Sequence, residues 1–180
     1  MNRTVKKIWN AVTWVLVLCV LALAILLSGT RFFGLTPYAV LSGSMEPTYH
    51  VGSLIYVRET PPEEIRVGDP ITFRLSGDGV VATHRVVEID ADGRAFYTKG
   101  DANEAKDGAP VSYNNLIGKP IFTIPMLGFF STWITAAPGK YIAICGALVL
   151  LVLFFLPGLL DKADAADRKE ARGKGERDEE

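Results

Sequence analysis

The chain has 180 residues, 49% of them hydrophobic, with 19 basic and 20 acidic side chains and a net charge of −1. That length favours a single domain, and the near-neutral balance excludes a general attraction to nucleic acid. The two cysteines, Cys19 and Cys145, both lie in apolar stretches, which excludes a disulfide framework or a thiol-based metal site.

Residues 1–7 form a short basic arm with Arg3, Lys6 and Lys7 and no acidic residue. The first apolar run, Ile8 to Leu27, follows. At about 1.5 Å per residue it reaches roughly 30 Å, a bilayer's hydrocarbon thickness. Trp9 and Trp14 suit the headgroup belt, and the positive flank favours a cytoplasmic amino terminus. A cleaved signal peptide is the rival reading. The run is longer than a usual h-region, and no clear Ala-x-Ala site follows it. Residues 8–28 are therefore expected to be a transmembrane helix.

The middle, residues 29–139, has ordinary soluble composition and reads as β-rich. Expected strands are Tyr38–Leu41, Leu54–Arg58, Ile71–Leu75, Val80–Ile89, Ala95–Thr98 and Lys119–Ile124. Breaks fall at Pro61-Pro62 and turns at Val67-Gly68-Asp69-Pro70, Ser76-Gly77-Asp78-Gly79 and Asp92-Gly93. Short strands with frequent turns point to a small, partly closed β-fold. Met126–Ile134 is short and amphipathic, fitting either a membrane-surface segment or a core-packed connector. A second uncharged apolar run, Tyr141 to Leu160, is again of membrane length. Residues 140–160 are expected to be a second transmembrane helix, and the mixed-charge tail 161–180 to be disordered and cytoplasmic. Two spans entered from the cytoplasm put both termini inside a plasma membrane and the middle domain outside it.

The chemistry-bearing residues all lie in that middle domain. Ser44 sits in Ser42-Gly43-Ser44-Met45-Glu46-Pro47-Thr48, just after an expected strand end. A serine hydroxyl is a weak nucleophile without a base. His84, in Thr83-His84-Arg85, is the natural candidate, with a reference pKa near 6.5. Asp101 or Asp107 can orient the ring and stabilise its charged form. Ser42, two residues before Ser44 in extended chain, points to the same side. Its hydroxyl and the Ser44 N–H can form an oxyanion hole. Read without a family in view, the same residues also fit a loop, a half-exposed strand histidine and a β-turn. His50 is read as a loop residue. Lys99 would serve as a base only if desolvated. Arg85 points away from His84 on a strand, as a surface charge or an ion pair.

These segments resemble the boxes of type I signal peptidases. Ser42-Gly43-Ser44-Met45-Glu46-Pro47-Thr48 is similar to the serine box, and Val67-Gly68-Asp69 with Ile71-Thr72-Phe73 to a second box. Thr83-His84-Arg85-Val86 resembles the base box of the endoplasmic-reticulum and archaeal type, where the ordinary bacterial type carries lysine. Thr98-Lys99-Gly100-Asp101-Ala102-Asn103 with Asp107 resembles the acidic box, and Ile117–Ile124 with Pro125 and Leu127-Gly128 the closing segment. The likeness covers about residues 36–128 in order. Pro70 departs from it, and with no amide to donate it puts the strand start after itself. Ala102 is a second departure.

The resemblance implies the signal-peptidase β-fold flanked by two membrane helices. It implies a membrane-bound serine endopeptidase that cuts signal peptides from preproteins after small residues at −1 and −3. Ser44 would be the nucleophile, His84 the base, Asp107 the first choice of orienting acid with Asp101 next, and Ser42 with Ser44 the oxyanion hole. Implied partners are signal-peptide-bearing preproteins, the lipid bilayer and the protein translocation channel, with no nucleic acid, metal or organic cofactor. The competing readings are a non-enzymatic membrane-tethered β-module and a Ser–Lys protease using Lys99.

Overall fold

The computed structural model describes residues 3–75 and 79–177. The core of the turn expected at Ser76-Gly77-Asp78-Gly79 and the last three residues of the tail lie outside them. The chain divides into two compact units, residues 1–23 with 138–180, and residues 24–137.

The helical unit contains most of α1 (Arg3–Leu27) and α3 (Gly139–Arg177). Thr4–Leu27 and Gly139–Leu159 are both long and apolar enough to cross a bilayer. Pro157 lies inside α3. A helical proline lacks the N–H that would bond the carbonyl four residues back, here Leu153. The indole Nε1–H of Trp9 donates to that Leu153 carbonyl at 3.2 Å. A neighbouring helix thus satisfies the group that proline frees, as apolar surroundings require. The Trp14 and Phe154 rings meet edge to face beside it. The tail expected to be disordered continues α3 as far as Arg177. Its Ala, Lys, Glu and Arg residues are good helix formers, so α3 need not stop at the membrane's edge.

The β unit is one seven-stranded antiparallel sheet in the order β1-β2-β7-β3-β4-β5-β6. The strands are β1 (Leu35–Ala39), β2 (Leu54–Arg58), β3 (Pro70–Arg74), β4 (Val81–Asp90), β5 (Ala95–Lys99), β6 (Val111–Ser112) and β7 (Leu116–Ile124). This is the mainly β, partly closed architecture with an apolar helix at each chain end that the sequence led us to expect. β3 begins on Pro70 itself, a correction to the expected start after it. Proline is tolerated as a first strand residue, because no ladder N–H is needed there. β1 and β7 each begin three residues earlier than expected, and β6 is an addition. Two residues long, it is too short to carry a period-2 signal.

Two clusters make the core. Ile65, Ile71, Phe73, Val86, Phe96 and Val111 pack together as one. Met45, Tyr49, Ile55 and Val57 form the other. Met45 is 2% exposed, and burying such a side chain contributes about 1.5–3 kcal/mol. That burial anchors the turn on which Ser44 stands. The segment Met126–Ile134 folds as α2 (Leu127–Thr135). α2 packs closely at Gly128, where a Cβ would come within 2.2 Å of the Ser53 carbonyl, while Met126 and Trp133 stay exposed.

Candidate active site

Ser44 lies on a single 3₁₀ turn, Gly43–Met45, between the end of β1 and the buried Met45. Ser42 just before it is extended, with φ −130° and ψ 159°. Its Oγ stands 3.4 Å from Ser44 Oγ, so both hydroxyls open to the same side.

His84 comes from β4, opposite Ile71 of β3. Its Nε2 is 3.1 Å from Ser44 Oγ, and its Nδ1 is 2.6 Å from Asp107 Oδ2. Serine, imidazole and carboxylate therefore lie in one hydrogen-bonded line, although 40 residues separate Ser44 from His84. The His84 and Asp107 side chains are 16% and 23% exposed, dry enough to strengthen their interaction yet open to a reactant. With Nδ1–H donated to the carboxylate, Nε2 is left as the acceptor facing the hydroxyl. That is the tautomer a general base needs.

Asp101 is not in this line. Arg85 donates to it through two nitrogens, Nε to Oδ1 at 2.7 Å and Nη2 to Oδ2 at 2.6 Å. Thr48 Oγ1 donates to Oδ2 at 2.5 Å. Arg85 also donates to the Gly68 carbonyl at 2.7 Å. The fork of two parallel bonds is the strong geometry for an arginine–carboxylate pair. The hydrogen bonds from Arg85 hold the Asp101 carboxyl below its usual range, with Thr48 and the Arg85 charge adding to this against a partial desolvation. Of the two carboxylates the sequence offered for His84, the structure brings Asp107 to the ring and commits Asp101 to Arg85.

The Asp101 segment nonetheless supports the serine from behind. The Ala102 N–H donates to the Ser44 carbonyl at 2.9 Å. A Cβ on Gly100 would stand 2.6 Å from that same carbonyl oxygen, so only glycine allows the approach. Lys99 sits opposite Arg85 on β5, and the nitrogen bonded to the Ser44 hydroxyl is Nε2 of the His84 imidazole. His50 is an exposed loop residue whose Nδ1 pairs with Glu46 at 2.5 Å. Sequence reasoning missed Thr98. It is fully buried on β5, and its hydroxyl donates to Asp107 Oδ2 at 2.6 Å. The available signal was a polar residue two positions after Phe96, on the inward face of a strand.

A cleft of about 540 Å³ runs alongside Ser44 and His84. Tyr38, Val40, Met45, Tyr49 and Ile55 give it an apolar wall, and Val81–Thr83 of β4 border it. β4 pairs with β3 from Val81 to Arg85 but with β5 only from Arg85 onward. Its first residues thus keep one backbone edge free of strand pairing among the described residues. Among those residues, too, no group of three or more His, Cys, Asp or Glu is placed to hold a metal ion.

A serine, an imidazole and a carboxylate aligned beside a cleft on an antiparallel sheet form the geometry of the serine hydrolase class. The family model described as "Signal peptidase, peptidase S26" matches residues 10–120. The chain belongs to this signal peptidase family. It is 41% identical over 121 residues to "Signal peptidase I W" of Bacillus subtilis, an alignment covering 62% of this chain and 63% of that protein. It is 32% identical over 125 residues to "Signal peptidase complex catalytic subunit SEC11C" of Rattus norvegicus, covering 62% and 65%. The chain thus spans somewhat under two thirds of the length of these relatives. With two bilayer-length apolar helices, it is a membrane-associated protein.

Proposed function

We propose that this protein is a membrane-bound serine endopeptidase that removes signal peptides from preproteins after small residues at −1 and −3. The observation that carries the reading is the line from Ser44 Oγ to His84 Nε2, 3.1 Å, and from His84 Nδ1 to Asp107 Oδ2, 2.6 Å. Family membership supports the substrate class.

In this reading His84 Nε2 takes the Ser44 proton as Oγ attacks the scissile carbonyl. Asp107 holds the ring in the required tautomer and stabilises the imidazolium that forms. The developing oxyanion meets the Ser42 hydroxyl and the Ser44 N–H, donors that gain strength as charge builds. The tetrahedral species collapses, and the imidazolium gives its proton to the leaving amine, the new amino terminus of the mature protein. The acyl-enzyme on Ser44 is then hydrolysed by a water that His84 deprotonates in turn. The residues before the scissile bond would lie extended in the cleft and add a strand to the free edge of β4 at Val81–Thr83.

The two apolar helices anchor the enzyme in the plasma membrane with both termini cytoplasmic and residues 29–139 outside. That arrangement places the site where preproteins emerge from the translocation channel. The basic flank of α1 supports it.

The test uses the full chain purified in detergent and a preprotein with alanine at −1 and −3. Wild-type protein releases the signal peptide at that bond, as identified by mass spectrometry, and Ser44→Ala releases none. Processing by Ser44→Ala at the wild-type rate would overturn the reading.

A further inference from the structure

We propose that Thr98 is a positioning residue for the Ser44–His84–Asp107 line, acting by fixing the orientation of the Asp107 carboxylate. The proposal builds on the hydrolase reading above and identifies what holds its acid in place.

Asp107 stands in the segment between β5 and β6, and its neighbours Lys106 and Gly108 are both exposed. A carboxylate on a connecting segment, held by one imidazole alone, is free to turn about its last torsion. Two bonds to one residue prevent this. The Asp107 N–H donates to the Thr98 carbonyl at 2.8 Å, which fixes the backbone. The Thr98 hydroxyl donates to Oδ2 at 2.6 Å, which fixes the side chain. Oδ2 is the same oxygen that faces His84 Nδ1. Thr98 is itself rigidly placed: it is 0% exposed, β-branched and paired with Val86 of β4, two residues beyond His84. One strand pair therefore sets the position of both the base and the acid that orients it. A buried hydroxyl needs a partner in any protein, so a general structural role must be separated from a positioning one by experiment.

Three variants and two readouts do so. Thr98→Val keeps the shape and removes the donor. Thr98→Ser keeps the donor. Thr98→Val is also made in an Asp107→Asn background. In the cleavage assay Thr98→Val is expected to lower kcat about 10²-fold with KM little changed, as small displacements of catalytic groups do. Thr98→Ser should stay within about threefold of wild type, and Thr98→Val should cost almost nothing further once Asp107 is Asn, because groups that act as a unit are non-additive. The second readout needs no activity. The His84 Nδ1–H proton, bonded to Asp107, gives a low-field NMR resonance that is absent in Asp107→Asn and retained in His50→Gln. Thr98→Val should shift or broaden it, and Thr98→Ser should preserve it. Wild-type turnover and an unmoved resonance in Thr98→Val would overturn the proposal. So would an equal loss from Thr98→Val in wild-type and Asp107→Asn backgrounds. If Ser44→Ala still cleaved, the endopeptidase reading would fall while the resonance still decided the role of Thr98.

Discussion

Asp101 and Asp107 lie six positions apart in one acidic segment, yet their surroundings give them different tasks. Asp107 meets an imidazole, the side chain most often used to relay a proton. Asp101 meets a guanidinium, which stays charged throughout. The first pair can support a proton transfer, because its partner can gain and lose a proton. The second can only hold a shape: Arg85, Thr48 and Gly68 are drawn together through it, and its backbone reaches the Ser44 carbonyl. Adjacent residues of β4, His84 and Arg85, thus face Ser44 and Asp107 on one side of the strand and Asp101 on the other.

Breaking the chemical side should have the largest effect. His84→Ala leaves Ser44 without a base and is expected to lower kcat by about 10⁴-fold or more, with little change in thermal stability. A preprotein cleavage assay alongside a melting curve checks both. Gly100→Ala strikes the scaffolding side, since the new Cβ would meet the Ser44 carbonyl at 2.6 Å. Such overpacking costs about 1–3 kcal/mol, so both the melting temperature and the turnover should fall.

A smaller effect concerns pH. The folded pKa of Asp101 lies below its unfolded value because Arg85 hydrogen-bonds the carboxylate. Its contribution to stability is therefore complete above the unfolded value, about 3.9 for aspartate. It is lost as pH falls through the folded value. Wild-type protein should lose melting temperature below about pH 4 more steeply than Asp101→Asn, in scans at several pH values. Smallest of all, Lys99→Ala should keep turnover within about twofold, because the Ser44 hydroxyl is bonded to the His84 imidazole. A loss as deep as that of His84→Ala would revive a Ser–Lys mechanism.

Much of this was legible in the sequence because it rests on local signals. The strand Leu54–Arg58, the hairpin at Asp92-Gly93 and the two apolar helices follow from periodicity, turn chemistry and length. The pairing of Ser44 with His84 was legible as a resemblance and as chemistry, though no spacing rule brings together residues 40 positions apart. The residues by themselves left the choice between Asp101 and Asp107 open, and only the resemblance put Asp107 first. The choice depends on which side of β4 each loop residue reaches, and so on the register of β4 with β5, which shifts between Val86 and Glu88. Thr98 was hidden for the same reason. In sequence it is one more β-branched strand residue, and its hydroxyl matters only because the chain returns to it at Asp107.

Asp107→Asn and Asp101→Asn, compared in one cleavage assay with melting curves for both, decide which carboxylate the Ser44–His84 pair depends on. Asp107→Asn is expected to lose about 10³- to 10⁴-fold in kcat while remaining folded like the wild type. Asp101→Asn should lose far less turnover but roughly 2 kcal/mol of stability, the scale of hydrogen bonds to a charged group. The reverse order, with turnover resting on Asp101 and Asp107→Asn cleaving at the wild-type rate, would contradict the role proposed for Asp107.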